Sequence, residues 1–546
     1  MKGVALGLLF FAAGCVKRMP EGDRTVVFVA RQVRTMDDER PTAEAIAWRH
    51  GKILAVGGKR EVLEAAGADA IVETFADSVI VPGLVDAHGH LASLGRSLST
   101  VSLLGVTSEE DAIARVKAAP ASAYQGQWLM GRGWDQNDWA GTRYPGKASL
   151  DALHPKTPVF LSRIDGHAAW VNSEALRRAG ITAATKDPPG GRIVRDEKGE
   201  PTGVLIDNAI DAVAAKIPAP TDEEVRQRLK VALETCARLG LTQVHDAGMD
   251  LRTFRQLQQW DMVRGLPLRL YVMADGQGDE AEEFLGLGTF SGRHLEMKAV
   301  KLLIDGALGS RGAALNTPYS DEPSQQGLLL LTPEAFEERA RNFAERGFQV
   351  AVHAIGDRAN SVVIAGLSKL DPKLRHRVEH AQVLSEGDVG KFAQHGLIAS
   401  FQPTHATSDM PWATARLGSE RARFAYAWKS VLDTGAHVAF GSDFPVEDPN
   451  PLLGLYAART RQDAKGTPNG GWMPEQVLSG DEALSGFTKG AAYAAFAEER
   501  RGQLKVGFDA DFLVLPIDPV ADAPKVLLDA KVQVTVVDGV DVYRAP

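Results

Sequence analysis

Short apolar runs recur through most of this chain, and stretches with helical spacing lie between them. The runs are rich in Val, Ile, Leu, Ala and Phe, which is typical of parallel strands buried on both faces. Between two of them, residues 333–347 have the amphipathic spacing of a helix. This alternation predicts a repeated βα unit. We count eight runs, in chain order LVDAHGH, LTQVHDAG, LRLYVMAD, AVKLLIDG, FQVAVHAIG, RVEHAQV, LIASFQPTH and HVAFGSD.

Five of these runs end in side chains that can bind a metal ion. The first run presents His88 and His90 on one face, because strand side chains alternate and residues two apart point the same way. The fourth, fifth, sixth and eighth runs carry Lys301, His353, His380 and Asp443. In a barrel the carboxyl ends of all strands meet at one mouth, whereas a doubly wound open sheet gives no reason for so many such ends around one point. We therefore predict an α/β fold built on a (β/α)8 TIM barrel.

The order of these residues, two histidines followed by Lys, His, His and Asp, resembles the amidohydrolase superfamily. Within it, the chain resembles the branch of long metal-dependent hydrolases that includes N-substituted formamide deformylase. The resemblance runs from about residue 25 to residue 542. Its motifs are specific for the family but do not identify a substrate. They are VPGLVDAHGH, SRIDGHAAWVNSEAL, KLLIDGALGSRGA, VHAIGD, VEHAQ and GSDFPV.

The resemblance also implies an arrangement of ligands. One divalent cation would be held by His88, His90 and Asp443, and a second by His353 and His380. A free ammonium cannot bind a cation, so Lys301 would bridge the two ions only if CO2 carboxylates it, as the family resemblance suggests. The alternative interpretation is that Lys301 binds no metal and forms a salt bridge with Asp305 or another acid. Imidazole and carboxylate ligands favour zinc, with Fe, Mn, Co and Ni left open, at one or two ions per chain.

The chemistry expected of such a site is hydrolysis of a C–N bond other than a peptide bond, in an amide or N-substituted formamide. Asp443 would take a proton from the metal-activated water and pass it to the leaving nitrogen. If Lys301 is unmodified, the site would hold one metal and His380 would act on the water through a hydrogen bond. Two alternatives remain: a hydrolase of a cyclic amide, lactone or ester, or a ring deaminase, on the same scaffold, and a surface-anchored binding protein without catalysis.

Further residues are candidates for substrate contacts at the barrel mouth. Trp134 would form an apolar wall and Arg311 would grip a carbonyl or carboxylate. Packing or surface roles compete for each candidate. His245 is expected behind the ligands. The full set is Trp134, Asp135, Asp165, His167, Asp305, Arg311, Gln402 and His405.

Three regions surround or interrupt the barrel, which we assign to residues 84–499. The gap after the first strand is too long for a simple loop, so we expect an inserted subdomain at about residues 95–238 that lies over the mouth and helps to form the substrate pocket. Residues 24–83 and 500–546 alternate as half-buried strands do, and the resemblance implies that together they form one small β-sandwich.

Composition agrees with a large globular enzyme. Apolar residues make up 44% of the 546 residues and charged residues 24%, which suffices for a sizeable core. The formal net charge of -9 and the lack of Lys/Arg clusters disfavour a nucleic-acid partner. A small-molecule substrate is the expected partner, and the resemblance makes a homodimer plausible.

The first 15 residues have the layout of a secretory signal. MKGVALGLLFFAAGC places Lys2 before an apolar run and small residues before Cys15. AAGC resembles a lipobox, although Ala12 stands where Leu is usual. Lipidation of Cys15 would anchor the protein to a membrane surface in the cell envelope, facing the periplasm or at the outer membrane. The alternative is an uncleaved apolar N-terminus or a wrong start codon, and hence a cytoplasmic protein.

Overall fold

A nearly closed barrel of eight parallel strands forms the centre of the protein. The structure is a computed structural model, and it describes residues 24–136, 139–140, 143–163 and 168–546. Each strand pairs in parallel with the next along the chain. We number them β1 (Leu84–Gly89), β2 (Leu241–Met249), β3 (Arg269–Asp275), β4 (Leu295–Leu303), β5 (Gln349–Ala354), β6 (Arg377–His380), β7 (Ile398–Phe401) and β8 (Val438–Phe440). The predicted (β/α)8 TIM barrel is confirmed.

The chain just after β8 returns to β1 and completes the ring. Asp443 donates its backbone N–H to the His88 carbonyl at 2.7 Å, and His90 donates to the Phe444 carbonyl at 2.9 Å. These bonds bring the ends of β1 and β8 together. The residues that follow both strands are therefore neighbours at the mouth.

Helices cover the outside of the barrel, and their sequences explain where they begin. In Pro333–Glu345, Thr332 accepts a hydrogen bond from the Ala335 N–H, and the apolar residues Phe336, Ala340 and Phe343 face inward at helical spacing. Apart from the helices of the insertion, the other helices after β1 are Leu91–Leu98, Asp222–Arg238, Leu251–Arg264, Ala281–Leu287, Asp357–Leu367, Glu386–Val389, Lys391–His395, Pro403–Ala422 with a break at Gly418, Trp428–Leu432, Pro451–Thr460, Gly480–Gly486 and Lys489–Ala494, with 3-10 turns at Pro372–Leu374, Pro474–Gln476 and Pro524–Leu528.

The two ends of the chain share one seven-stranded sheet. Its central contact pairs Phe512–Leu515 antiparallel with the end of Ile71–Pro82. In spatial order the strands are Val540–Arg544, Val534–Val537, Phe512–Leu515, Ile71–Pro82, Val26–Arg34, Thr42–Arg49 and Lys52–Gly57, with the helix Lys59–Ala66 beside them. The domain boundaries drawn from the sequence stay predictions.

A third sheet lies in the insertion between β1 and β2, and it has a core of its own. Trp134, Trp139 and Trp170 pack against each other and against Leu129 and Leu161. In spatial order its strands are Gly191–Arg195, Pro201–Asp207, Ala168–Val171, Val159–Arg163, Trp128–Trp134 and Val101–Ser102, with Tyr124–Gln125 paired to Trp128–Trp134. The remaining elements are the helices Glu109–Lys117, Lys147–Leu153, Ser173–Ala179 and Asp211–Ala214, the 3-10 turn Ala121–Ala123, and Phe290–Ser291 beside β4.

None of the helices in the described ranges combines the length and the apolar character that crossing a bilayer requires.

Candidate metal centre

Two close backbone approaches place the ends of β1 and β8 at one point. A Cβ on Gly89, between the two histidines of β1, would lie 2.4 Å from the Phe444 ring. A Cβ on Gly441 would lie 2.5 Å from the His88 backbone nitrogen. Both distances are far below van der Waals contact, so only glycine permits this approach. The approach brings Asp443 beside His88 and His90.

A first group of possible metal ligands therefore joins β1 and the end of β8. The Asp443 carboxylate lies 3.0 Å from His90 Nε2 and 3.6 Å from His88 Nε2. One nitrogen or oxygen from each of these residues falls within 4.8 Å of the others. Asp443 has a φ of 60°, a conformation that non-glycine residues seldom adopt and that is often found at functional sites.

A second group shares Asp443 and adds residues from β6 and from the helix after β7. His380, His405 and Asp443 again offer atoms within 4.8 Å of one another. The His380 and His405 rings stack with centroids 5.9 Å apart, and the His353 ring lies 4.7 Å from that of His380. The structure thus brings all the sequence-predicted histidine ligands together. It also adds His405, which the sequence analysis assigned to substrate contacts.

Lys301 lies at the base of these groups. Its Nζ is 3.2 Å from His88 Nε2, and burial lowers the pKa of this amine. The competing interpretation, a salt bridge with Asp305 or another acid, stays open for other acids, because the charges of Glu379 and Asp443 act on Lys301. Asp305 instead accepts hydrogen bonds from the backbone N–H groups of Ala314, Ile355 and Gly356 at 2.8–3.0 Å.

The protonation states suit metal binding. Burial, reinforced by the Lys301 charge, lowers the pKa of His88 to about 4 and that of His353 to about 3. Burial likewise lowers the pKa of His380. Burial opposes ionisation of Asp443, but the hydrogen bond with His90 holds the pKa of Asp443 below its ordinary value. Neutral His88, His353 and His380 and an ionised Asp443, the forms that bind metals, therefore prevail at neutral pH.

The residues present fit a divalent metal. Among the described residues, the Nε2 atoms of His353 and His405 are buried and have no hydrogen-bond partner. A buried polar atom without a partner is costly; a metal ion would satisfy His353 Nε2, and a metal ion or a bound substrate would satisfy His405 Nε2. Imidazole nitrogen and carboxylate oxygen are the donors that zinc and similar ions bind.

A cavity of about 520 Å³ opens above these groups. Its floor and polar wall include His90, Lys301, His353, His380, His405 and Asp443. Its apolar wall is formed by Leu303, Ala307, Leu308, Ile355, Trp412 and Val446. Such a mixture of apolar surface and a few converging polar groups is characteristic of a small-molecule site.

The structure gives most of the predicted substrate contacts other roles. Trp134 is fully buried in the core of the inserted sheet and donates its indole N–H to the Leu161 carbonyl, so it forms no wall of the cavity. Arg311 is bound to Asp321 at 3.0 Å outside the cavity. His380 donates Nδ1–H to Gln402 at 2.7 Å, so Gln402 orients a candidate ligand and does not line the cavity.

The remaining candidates are Asp135, Asp305, His405, Asp165 and His167. Asp135 forms an ion pair with Arg163 at 2.6 Å, Asp305 holds the backbone as described above, and His405 lines the cavity. Asp165 and His167 lie outside the described residues. Where the insertion is described, none of its residues lines the cavity, and its expected role in the pocket stays a prediction because residues 164–167 lie outside the described ranges.

Sequence reasoning missed a set of buried polar groups behind the ligands. His88 donates Nδ1–H to Glu379, which also pairs with Arg377 at 2.6 Å. His245 accepts a hydrogen bond from Arg377 and is fully buried, in agreement with its expected place behind the ligands. The available signal was RVEH in β6, because two charged residues in a short, otherwise buried strand need partners.

The known proteins that are similar to this chain include members of the amidohydrolase family. The sequence model of the Amidohydrolase family matches residues 76–543. The putative amidohydrolase YtcJ of Bacillus subtilis is 35% identical over 527 residues, which are 94% of this chain and 98% of that protein. N-substituted formamide deformylase of Arthrobacter pascens is 27% identical over 544 residues, which are 95% of this chain and 98% of that protein.

A solved structure is similar along nearly its whole length. The crystal structure of an uncharacterized metal-dependent hydrolase from Pyrococcus furiosus superposes with a TM-score of 0.76 at 28% identity, over 91% of this chain and 99% of that one. The resemblance seen in the sequence motifs is thereby confirmed. With a family match across most of its length, a barrel of the expected topology and converging imidazole and carboxylate ligands at the mouth, this chain belongs to the amidohydrolase family of metal-dependent hydrolases.

Proposed function

We propose that this protein hydrolyses the C–N bond of an amide or N-substituted formamide, with Asp443 as the proton shuttle. The observation that carries this proposal is the position of the Asp443 carboxylate, which borders the cavity and belongs to both groups of candidate ligands. A carboxylate so placed is within reach of both a metal-activated water and a substrate nitrogen in the cavity.

The proposed ligands are His88, His90 and Asp443 for one ion, and His353 and His380 for a second, with a carboxylated Lys301 between them. The burial of Lys301 beside His88 supports its place in the site. Zinc is the favoured metal on the basis of the donor types. When bound, the metal supplies a Lewis acid that activates water and polarises the substrate carbonyl.

The protein's own residues would then bind the substrate and move the proton. The apolar wall, with Leu308, Trp412 and Val446, suits an apolar or aromatic N-substituent. Asp443 is ionised and therefore able to accept a proton from the attacking water. The same carboxyl group then protonates the leaving amine, which departs as the C–N bond breaks.

The proposal is tested by measuring metal content and hydrolysis together on the purified full-length chain. The substrates are N-formyl and N-acyl amines, with matched esters and lactones as controls, before and after chelation and after zinc is added back. We expect about two metal equivalents per chain, as in binuclear hydrolases, and amide turnover that disappears with the metal and returns with it. Amide turnover that survives complete metal removal contradicts the proposal.

The other outcomes separate the alternatives. Faster hydrolysis of esters, lactones or cyclic amides, or ring deamination, would replace the proposed substrate class on the same scaffold. A chain that takes up no metal, still folds and still retains a ligand would indicate a binding protein.

The cellular location is a proposal from the sequence alone. Cys15 lies outside the described residues, so lipidation and a place in the cell envelope rest on the AAGC motif. Replacing Cys15 by Ala should move the protein from the membrane fraction to the soluble fraction. An unchanged distribution would contradict a lipid anchor and favour the cytoplasmic alternative.

A further inference from the structure

A fully buried charged group lies against the first histidine of the site. His88, Glu379 and Arg377 have no measurable solvent exposure. The His88 ring donates Nδ1–H to Glu379, while Nε2 of the same ring faces Lys301 at 3.2 Å and Asp443 at 3.6 Å. The Nδ1 atom of His88 is therefore hydrogen-bonded to Glu379, and the Nε2 atom is directed toward the candidate metal site.

The position of Glu379 is in turn fixed by Arg377. The guanidinium pairs with both carboxylate oxygens, at 2.6 Å from Nε and 3.2 Å from Nη2. Arg377 also donates to the Ala87 carbonyl at 2.7 Å, Ser400 Oγ at 3.1 Å and His245 Nδ1 at 3.1 Å. These partners lie on β1, β7 and β2, so three other strands of the barrel hold the arginine and leave the carboxylate little freedom.

We propose that Glu379 is a positioning residue that fixes the tautomer and orientation of His88 and thereby sets the metal affinity of the site. A neutral imidazole carries one N–H, and the acceptor of that proton decides which nitrogen is free to bind. Glu379 accepts the hydrogen bond from Nδ1–H, so the proton stays on Nδ1 and Nε2 is left as the atom that can bind a metal. A carboxylate acceptor also makes the imidazole a stronger ligand. This inference rests on the proposed function, because it requires His88 to be a metal ligand.

A second histidine of the site offers an internal contrast. His380 donates Nδ1–H to the neutral amide oxygen of Gln402, whereas His88 donates to an ionised, arginine-paired carboxylate. Charged acceptors form the stronger hydrogen bonds. The structure therefore assigns the larger influence on the metal to Glu379.

The direct test is Glu379→Gln, with zinc affinity measured by competition with a chelating dye. The amide has nearly the same shape but lacks the charge, and we expect zinc affinity to fall by about 10- to 100-fold. Glu296→Gln is the matched control, since Glu296 also lies on a barrel strand but pairs with Lys298 and Arg500 away from the site. It should leave zinc affinity unchanged.

Glu379→Gln leaves Arg377 buried without its counter-ion, so a loss of folding could imitate the expected result. The double variant Arg377→Met with Glu379→Gln removes both charges. Its thermal midpoint should recover relative to the single variant while its zinc affinity stays low. If zinc affinity recovers together with the fold, Glu379 is only structural and the inference is overturned.

The coupling to His88 gives a second, independent readout. In a His88→Asn background, adding Glu379→Gln should cause no further loss of zinc affinity, because the histidine through which Glu379 acts is gone. An equal loss in both backgrounds contradicts the inference. If the unmodified protein takes up no metal, the proposed function fails; if it binds zinc and Glu379→Gln binds zinc equally well, only this inference fails.

Discussion

The site has an inner side, behind His88, and an outer side that borders the cavity. The two sides differ in how many of their buried polar atoms form hydrogen bonds within the protein. On the inner side, all three nitrogens of Arg377 and both oxygens of Glu379 have partners. On the cavity side, among the residues that the structure describes, the Nε2 atoms of His353 and His405 are buried without a hydrogen-bond partner. The Arg377–Glu379 ion pair is therefore fully satisfied, although His245 Nε2 beside it forms no hydrogen bond, whereas two ring nitrogens next to the cavity lack a partner. This difference supports the proposed place of the metal and substrate on the cavity side, with the inner groups in a supporting role.

The largest expected effect comes from Asp443, which belongs to the outer side. Asp443→Asn should lower kcat by about 10²- to 10⁴-fold, because the proton acceptor is lost. Steady-state hydrolysis of an N-formyl amine measures this, and elemental analysis shows how much metal remains. Asp321→Asn is the control, since Asp321 binds Arg311 and Arg416 outside the cavity. Full activity in Asp443→Asn would remove Asp443 from the mechanism.

The second-largest loss of activity is expected from replacing Lys301. Lys301→Ala should lower activity by about 100-fold, equivalent to about 2.7 kcal/mol of transition-state stabilisation. Short carboxylic acids such as formate or acetate should restore part of it, because they can occupy the place of a carbamate. Lys298→Ala, on the same strand but partly exposed, is the matched control. Activity that is unaffected by Lys301→Ala would place this lysine outside the site.

A pair of variants distinguishes the two outer histidines. His353→Asn should reduce the metal content from about two ions per chain to about one, because His353 is a proposed ligand of the second ion. His405→Asn should keep about two ions and mainly raise KM, because His405 lines the cavity as a substrate contact. The reverse result would make His405 the ligand, as its short separation from Asp443 and His380 permits.

The smallest expected effect is a loss of stability at the junction between β1 and β8, which holds the inner and the outer side of the site in place. Gly89→Ala places a Cβ 2.4 Å from the Phe444 ring and should cost about 1–3 kcal/mol of stability through overpacking. Thermal unfolding of the metal-free protein measures this. Gly387→Ala is the control, because a Cβ there meets nothing within 4 Å. Equal thermal midpoints for the two variants would mean that the junction is more adaptable than its geometry suggests.

Much of the barrel could be read from the sequence, because its information is local. A buried parallel strand must be apolar on both faces, so each of the eight strands is visible as a short run, and a polar residue at its end stands out. His88, His90, His353 and His380 were recognisable for this reason. His405 was recognised too, but with a different role, because it follows the helix start after β7 and its distance from Asp443 depends on the helix orientation.

In the inserted sheet, the sequence alone did not show which side chains face the cavity and which face the core. Trp134 and Asp135 lie in a motif rich in aromatic and acidic residues, which suggests a pocket, but the same residues suit a small core with an ion pair at its edge. Periodicity cannot distinguish a tryptophan that faces a ligand from one that faces another tryptophan. The contacts across the sheet decide this, and they place Trp134 in the core.

The sequence by itself determined the barrel, the family and the residues that end its strands, because periodicity, strand ends and motif order are local properties of the chain. Only the tertiary structure decided which of these side chains meet, and that Arg377 and Glu379 stand behind His88. The physical reason is that a hydrogen bond or a metal site depends on distances of a few ångströms between residues far apart in sequence. Those distances exist only once the barrel has closed.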